Sequence, residues 1–219
     1  MTANKTTTAI LISGRGTNME ALINAASDPE YPAKIELVVS SNPKAGGIEI
    51  ARSKNIPVEV IDHKEFESRE AFDDALNGAL NNVNAELICN AGFMRLLTEK
   101  FVKDWHNRNL NIHPSLLPAF KGLNTHERAI ASDVKISGCT VHFVRHEMDS
   151  GPIIAQAAVP VLPNDTPQTL KQRILKAEHK LYPKALKLLA SGAIRVSGEH
   201  VQFSQEYEEQ AALFSPFMT

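Results

Sequence analysis

Cysteine is scarce in this 219-residue chain, and the two that occur, Cys89 and Cys139, each sit inside an apolar, strand-like run. That pattern reads as two buried free thiols of a reducing compartment, in preference to a disulfide or a metal site. Neither sign of charge is in excess: 23 basic residues stand against 25 acidic ones, a formal charge of −2, so there is no global basic footprint for nucleic acid. Long apolar runs are missing, and stretches such as Ala9-Ile10-Leu11-Ile12 are far too short to span a bilayer. Residues 1–8 lack the apolar stretch of a secretory signal and read as a frayed lead-in. No repeat, linker or low-complexity segment divides the chain. These absences point to a cytoplasmic protein with one compact domain and a proper core.

What is present is an alternation. Residues 9–13, 35–40, 58–61, 87–90 and 110–112 read as short buried strands, and residues 66–83 place Phe72, Ala75, Leu76, Ala79, Leu80 and Val83 on one helical stripe. Strand–helix alternation implies right-handed crossovers and an α/β fold: a mostly parallel twisted sheet with helices on both faces, Rossmann-like in its amino-terminal half. After residue 136 the texture changes. Residues 137–145 and 152–161 are consecutive strands joined by a polar loop, which predicts a mixed sheet toward the carboxy-terminal half. Thr166-Pro167 then supplies an N-cap and first-turn proline for a helix with Leu170, Ile174, Ala177 and Leu181 on one face. Pro183 is expected to kink or break that helix.

Open parallel sheets bind ligands at the carboxyl ends of their strands. Three loops of unusual composition fall there: 13–18, 91–97 and 111–122. The third begins Asn109-Leu110-Asn111-Ile112-His113-Pro114, and in an extended chain Asn111 and His113 share a face. An amide donor beside a titratable imidazole suits a carbonyl that becomes a tetrahedral oxyanion; alternatively, both are buried groups satisfying backbone at a strand end. Gly14-Arg15-Gly16-Thr17-Asn18-Met19 starts like a dinucleotide fingerprint, but Met19 replaces the third glycine and no acid ends the second strand. No Gly-Lys-Ser/Thr follows, which excludes a P-loop. Two readings remain, a single phosphate cradled by Gly16, Thr17 and Asn18, or a tight turn with Thr or Asn capping the helix. Residues 91–97 could line a slot for a flat heteroaromatic ring, or simply fill the core. His142 and His146 lack the Glu and the helix of a zinc motif, and no cysteine cluster exists, so no metal is expected.

The Ser13–Asn18 turn, the Asn109–Pro118 segment, His142-Phe143-Val144 and Met148-Asp149-Ser150-Gly151-Pro152, in this order, closely resemble the folate-dependent glycinamide ribonucleotide transformylases. The similarity runs from about residue 9 to about residue 192. It implies the formyltransferase fold, with a mononucleotide-binding half over about 9–104, a folate and catalytic half over 105–195, and a terminal extension over 196–219. It implies formyl transfer from 10-formyltetrahydrofolate to the amine of glycinamide ribonucleotide in purine synthesis, by direct amine attack. By the same resemblance Asn111, His113 and Asp149 form the catalytic set. Gly16, Thr17, Asn18 and Glu178 contact the ribonucleotide. The folate lies against Met94, Arg95, Leu96, Leu97 and Asn111, with Arg69 on its binding surface. His142 lies near the site. On sequence alone Asp149 is a loop aspartate with no assignable partner.

Two positions depart from the family pattern: Ser150 stands where a second glycine is frequent and Asn124 where some relatives have histidine. The same chemistry fits a 10-formyltetrahydrofolate hydrolase, although related hydrolases carry an added amino-terminal regulatory domain not expected here. A methionyl-tRNA formyltransferase would need a carboxy-terminal RNA-binding domain and a basic surface. A non-catalytic nucleotide-binding protein is the reading from another class. No nucleic acid or membrane partner is expected, and the sequence leaves the oligomeric state open.

Overall fold

Ala9 and Leu11 pack into one apolar core while Ile10 and Ile12 pack into another, so the first strand is covered on both faces. The structure, a computed structural model, describes residues 5–204 and residue 215. Five parallel strands, β1 (Thr6–Ile12), β2 (Ala33–Ser40), β3 (Val58–Val60), β4 (Leu87–Asn90) and β5 (Asn109–His113), are extended by two antiparallel ones, β6 (Ile136–Phe143) and β7 (Ile153–Pro160). The sheet order is β3-β2-β1-β4-β5-β6-β7. Helices α1 (Thr17–Ala26), α2 (Gly47–Ser53) and α6 (Pro167–Ala190) cover one face through Met19, Leu22, Ile48, Tyr182 and Leu186. Helices α3 (Arg69–Asn82) and α4 (Glu99–Asp104) cover the other through Phe72, Leu76, Leu80, Phe101 and Trp105. A sixth helix, α5 (Thr125–Ala131), packs with α6 over Cys139 and Val159.

The expected α/β architecture is present, with the mixed pairing where the texture changes. Several details differ. The first strand begins at Thr6, inside the segment expected to fray, because Thr6 and Thr7 pair with Ala33 and Lys34 through backbone groups and need no apolar side chain. Pro183 does not break α6. Tyr182, Ala185 and Leu186 around it are fully buried. That burial, roughly 1.5–3 kcal/mol per large apolar side chain, outweighs the about 3 kcal/mol cost of an interior proline. The Tyr31 hydroxyl also donates to the Pro183 carbonyl at 2.6 Å. Straddling the start of the expected terminal extension, β8 (Ile194–Ser197) and β9 (His200–Phe203) form a hairpin about Gly198 whose Val196, Val201 and Phe203 pack on the main core. The remainder of that extension, residues 205–214 and 216–219, lies outside the described residues, as do residues 1–4.

Candidate active site

The carboxyl ends of β1, β4 and β5 open on one cavity of about 760 Å³. Residues 14–18 line it on one side, 91–97 and 122–126 on others, and Asn111, His113, His142 and Asp149 converge within it. A smaller, polar groove of about 300 Å³ between α3 and α4, lined by Asp74, Lys100 and Trp105 among others, lies away from these residues.

Strand register builds the convergence. Asn111 and His113 alternate along β5, and the antiparallel β5–β6 ladder sets Asn111 opposite His142. The Asn111 amide, through Nδ2, lies 3.3 Å from His142 Nε2, while His142 Nδ1 donates to the Phe143 carbonyl at 2.9 Å. With Nδ1 carrying its proton, Nε2 of the neutral ring is an acceptor for the asparagine amide. Burial, the leading cause, holds the His142 pKa below the ordinary imidazole value, which favours that neutral form.

After β5 the chain turns through Pro114 and a cis Leu117–Pro118 peptide. Thr140, opposite His113 on β6, braces this loop: its hydroxyl donates to Ser115 O (2.7 Å) and accepts from Leu117 N (3.0 Å). Ser115 in turn donates to Ala119 O at 2.6 Å. The brace presents the Phe120 carbonyl to His113 Nε2, which donates to it at 3.0 Å. His113 Nδ1 faces Asp149 Oδ2 at 3.4 Å. Both ring nitrogens therefore face oxygen acceptors.

Asp149 arrives from the polar loop between β6 and β7. Its backbone is left-handed (φ 51°), its Oδ2 accepts the Gly122 amide at 2.8 Å, and its Oδ1 lies 3.7 Å from His142 Nε2. The loop closes tightly at its base. A side chain at Gly151 would bring its Cβ to 1.9 Å from the Phe143 carbonyl oxygen, so only glycine fits. Ser150 ties its hydroxyl back to Glu147 O at 2.8 Å, a brace that a second glycine could not make.

On the opposite wall, Gly16 precedes α1 with φ 76°, and neither Thr17 nor Asn18 caps the helix, contrary to the capping reading. The first backbone N–H groups of α1 are left without a side-chain acceptor, as an anion site requires. A Cβ at Gly16 would meet Gly47 Cα at 2.8 Å, so α2 packs directly beneath this turn. Asn18 Nδ2 donates to Glu178 Oε2 at 2.7 Å, which joins α6 to the same wall. Burial raises the Glu178 pKa, partly offset by that donated bond.

Met94 and Leu96, 64% and 60% exposed, present apolar surface at the cavity beside Arg95 and Leu97 instead of filling the core. Phe93 also lines the cavity and stacks on Phe72 of α3 (centroids 6.4 Å apart). Arg69, the first residue of α3, is exposed and is not brought into the cavity lining. Sequence reasoning missed Lys171 and Leu175, which line the cavity with Glu178. Their i, i+4, i+7 spacing on α6 was the available signal. It also missed His126, half-buried in the lining, whose buried Nε2 lacks a hydrogen-bond partner.

A glycine turn at the start of α1, a loop with exposed apolar side chains and an Asn–His–Asp cluster thus share one cavity. Residues 6–186 match the family described as Formyl transferase, and the chain belongs to that family. It is 40% identical over 188 residues to a phosphoribosylglycinamide formyltransferase of Haemophilus influenzae, covering 86% of this chain and 89% of that protein. It is 52% identical over 193 residues to the trifunctional purine biosynthetic protein adenosine-3 of Gallus gallus, covering 88% of this chain but 19% of that protein. The chain thus spans about a fifth of that longer relative. A solved phosphoribosylglycinamide formyltransferase of Anaplasma phagocytophilum superposes with a TM-score of 0.86 at 47% identity, covering 94% of this chain and 97% of the other. A formyltetrahydrofolate deformylase from Pseudomonas syringae, at 22% identity and a TM-score of 0.85, shares the fold alone.

Proposed function

We propose that this chain transfers the formyl group of 10-formyltetrahydrofolate to the amine of glycinamide ribonucleotide, a step of purine synthesis. The observation that carries the reading is the placement of Asn111, His113 and Asp149 in one cavity with the 14–18 turn and the 91–97 loop. The ribonucleotide phosphate belongs at Gly16, Thr17 and Asn18, with Glu178 toward its sugar. The pterin belongs against Met94, Arg95, Leu96 and Leu97, where the exposed apolar side chains of Met94 and Leu96 suit a flat ring.

In this arrangement the neutral amine attacks the formyl carbon, the carbon–nitrogen bond to the folate breaks, and the amine's proton passes to the folate nitrogen. Asn111 holds one amide hydrogen toward His142 Nε2 and has a second for the developing oxyanion. His113 supplies a ring N–H donor beside that oxygen, its Nε2 held here by the Phe120 carbonyl. Asp149 orients the imidazole and serves the proton relay. No side-chain nucleophile is needed, and the buried Cys89 and Cys139 take no part. Orientation of two bound substrates supplies much of the acceleration.

We place the reaction in the cytoplasm, on the strength of those two unpaired thiols, with small molecules and neither nucleic acid nor membrane as partners. The chemistry needs no metal; among the described residues no group of three or more His, Cys, Asp or Glu could hold one. The test is incubation with 10-formyltetrahydrofolate with and without glycinamide ribonucleotide. Tetrahydrofolate released only with the amine supports the transferase; release without it makes the chain a hydrolase; no release leaves a nucleotide-binding protein.

A further inference from the structure

Ser13 sits where the ends of three strands meet. Its backbone begins the turn that carries Gly16, Thr17 and Asn18, and its other bonds reach the neighbouring loop after β4. The Ser13 amide donates to Gly92 O at 3.2 Å, and its Oγ accepts the Met94 amide at 2.9 Å. The same oxygen shares a hydrogen bond with Ser41 Oγ, 2.8 Å away just past β2, which either hydroxyl can donate. Ser41 is fixed in turn: it is buried, its amide donates to Ile12 O at 3.0 Å, and its carbonyl accepts from His63 Nδ1 at 2.9 Å. Asn42 completes the knot by donating from Nδ2 to Ser13 O at 3.2 Å.

We infer that Ser13 is a positioning residue that locks the 91–97 loop in register with the 14–18 turn, so that the two substrates meet at a fixed separation. Met94 is the loop's most exposed apolar side chain at the cavity, yet its backbone is held from below by a hydroxyl belonging to the other substrate's wall. Without that hydroxyl the Met94 amide loses its acceptor and the apolar ledge loses its fixed height. The inference rests on the proposed two-substrate reading for its kinetic consequences but not for the loop's order.

Ser13→Ala and Ser41→Ala are to be compared with wild type. Tetrahydrofolate titrated into Ser13→Ala should bind about three- to tenfold more weakly, the effect of one lost hydrogen bond, while glycinamide ribonucleotide affinity changes by less than about twofold. Ser41→Ala keeps the Met94 bond and should show a smaller change. Hydrogen exchange gives a readout independent of turnover: the Met94 amide should exchange slowly in wild type and Ser41→Ala, and several-fold faster in Ser13→Ala. Equal weakening of both substrates, or a Met94 amide already fast in wild type or unmoved in Ser13→Ala, would overturn the inference. Slow Met94 exchange in a wild-type protein that transfers no formyl group would instead retain the lock and sink the functional reading.

Discussion

Nδ1 of His113 lies 3.4 Å from Oδ2 of Asp149, with the two side chains only 7% and 9% exposed. A contact held this far from water leaves its survivor poorly paired when one partner is lost. Asp149 is therefore expected to act on turnover through His113.

Asp149→Asn should lower turnover by on the order of a hundredfold or more, by analogy with the loss of single oxyanion donors, and leave both Michaelis constants nearly intact. His113→Ala should be at least as severe. The double variant should cost much less than the two singles combined, because the residues work as a unit. A double-mutant cycle on turnover decides the matter: additive losses would return Asp149 to an ordinary loop aspartate.

His142 sets an acid limit. Its folded-state pKa lies below the ordinary 6.5 because burial disfavours the cation, so its contribution to stability is present above pH 6.5 and is lost as pH falls below it. Protonation also removes the acceptor that orients the Asn111 amide. Urea denaturation should show wild type losing stability on acidification from pH 6.5 faster than His142→Gln, which has no proton to gain. Parallel curves would mean His142 does not titrate in this window.

The two walls separate in their ligands. Thr17→Glu adds a carboxylate to the first turn of α1, beside N–H groups that lack a side-chain acceptor. It should weaken glycinamide ribonucleotide binding by repelling its phosphate and hardly change folate affinity, since Met94–Leu97 belong to a different loop of the cavity. Calorimetry with each ligand separately checks this, and equal loss of both would remove the two-wall arrangement.

Local pattern made most of this fold legible. β4 was readable at Leu87–Asn90 because its apolar run stands between polar turns, and α6 opened where Thr166-Pro167 predicts. β8 and β9 were not, since an exposed two-stranded hairpin shows little burial pattern and gains its order from Val201 and Phe203 resting on a core built elsewhere. In the site, Asn111 and His113 were readable because both lie on one strand. Asp149 is named by the family resemblance alone, because its pairing depends on the β5–β6 ladder and on a Gly122 amide from another loop. The bracing by Ser13 is hidden in the sequence for the same reason: it lies in the strand ends that Ser13 joins, not in its neighbours along the chain.

Asp73 anchors the far end of the 91–97 loop. It is buried on α3, and its Oδ2 accepts both the amide and the hydroxyl of Thr98 at 2.7 Å, while Oδ1 has no hydrogen-bond partner. Burial raises its pKa above the ordinary 3.8, and the Thr98 bonds only partly offset that effect. The sign follows: stability from this group is fully present below pH 3.8 and declines as pH rises through the raised value, because ionisation in the folded state costs more than in the unfolded chain. Asp73→Asn keeps an acceptor for Thr98 and has no charge to desolvate. Its stability relative to wild type should therefore improve steadily from about pH 3.5 upward, levelling once Asp73 is ionised in the folded wild type. Asp73→Ala, which orphans both Thr98 donors, should instead be destabilised by about 1–3 kcal/mol and loosen folate binding. Urea denaturation of the three proteins across pH 3.5–7 is the measurement. A pH-independent gap between Asp73→Asn and wild type would show that the buried carboxylate carries no such cost.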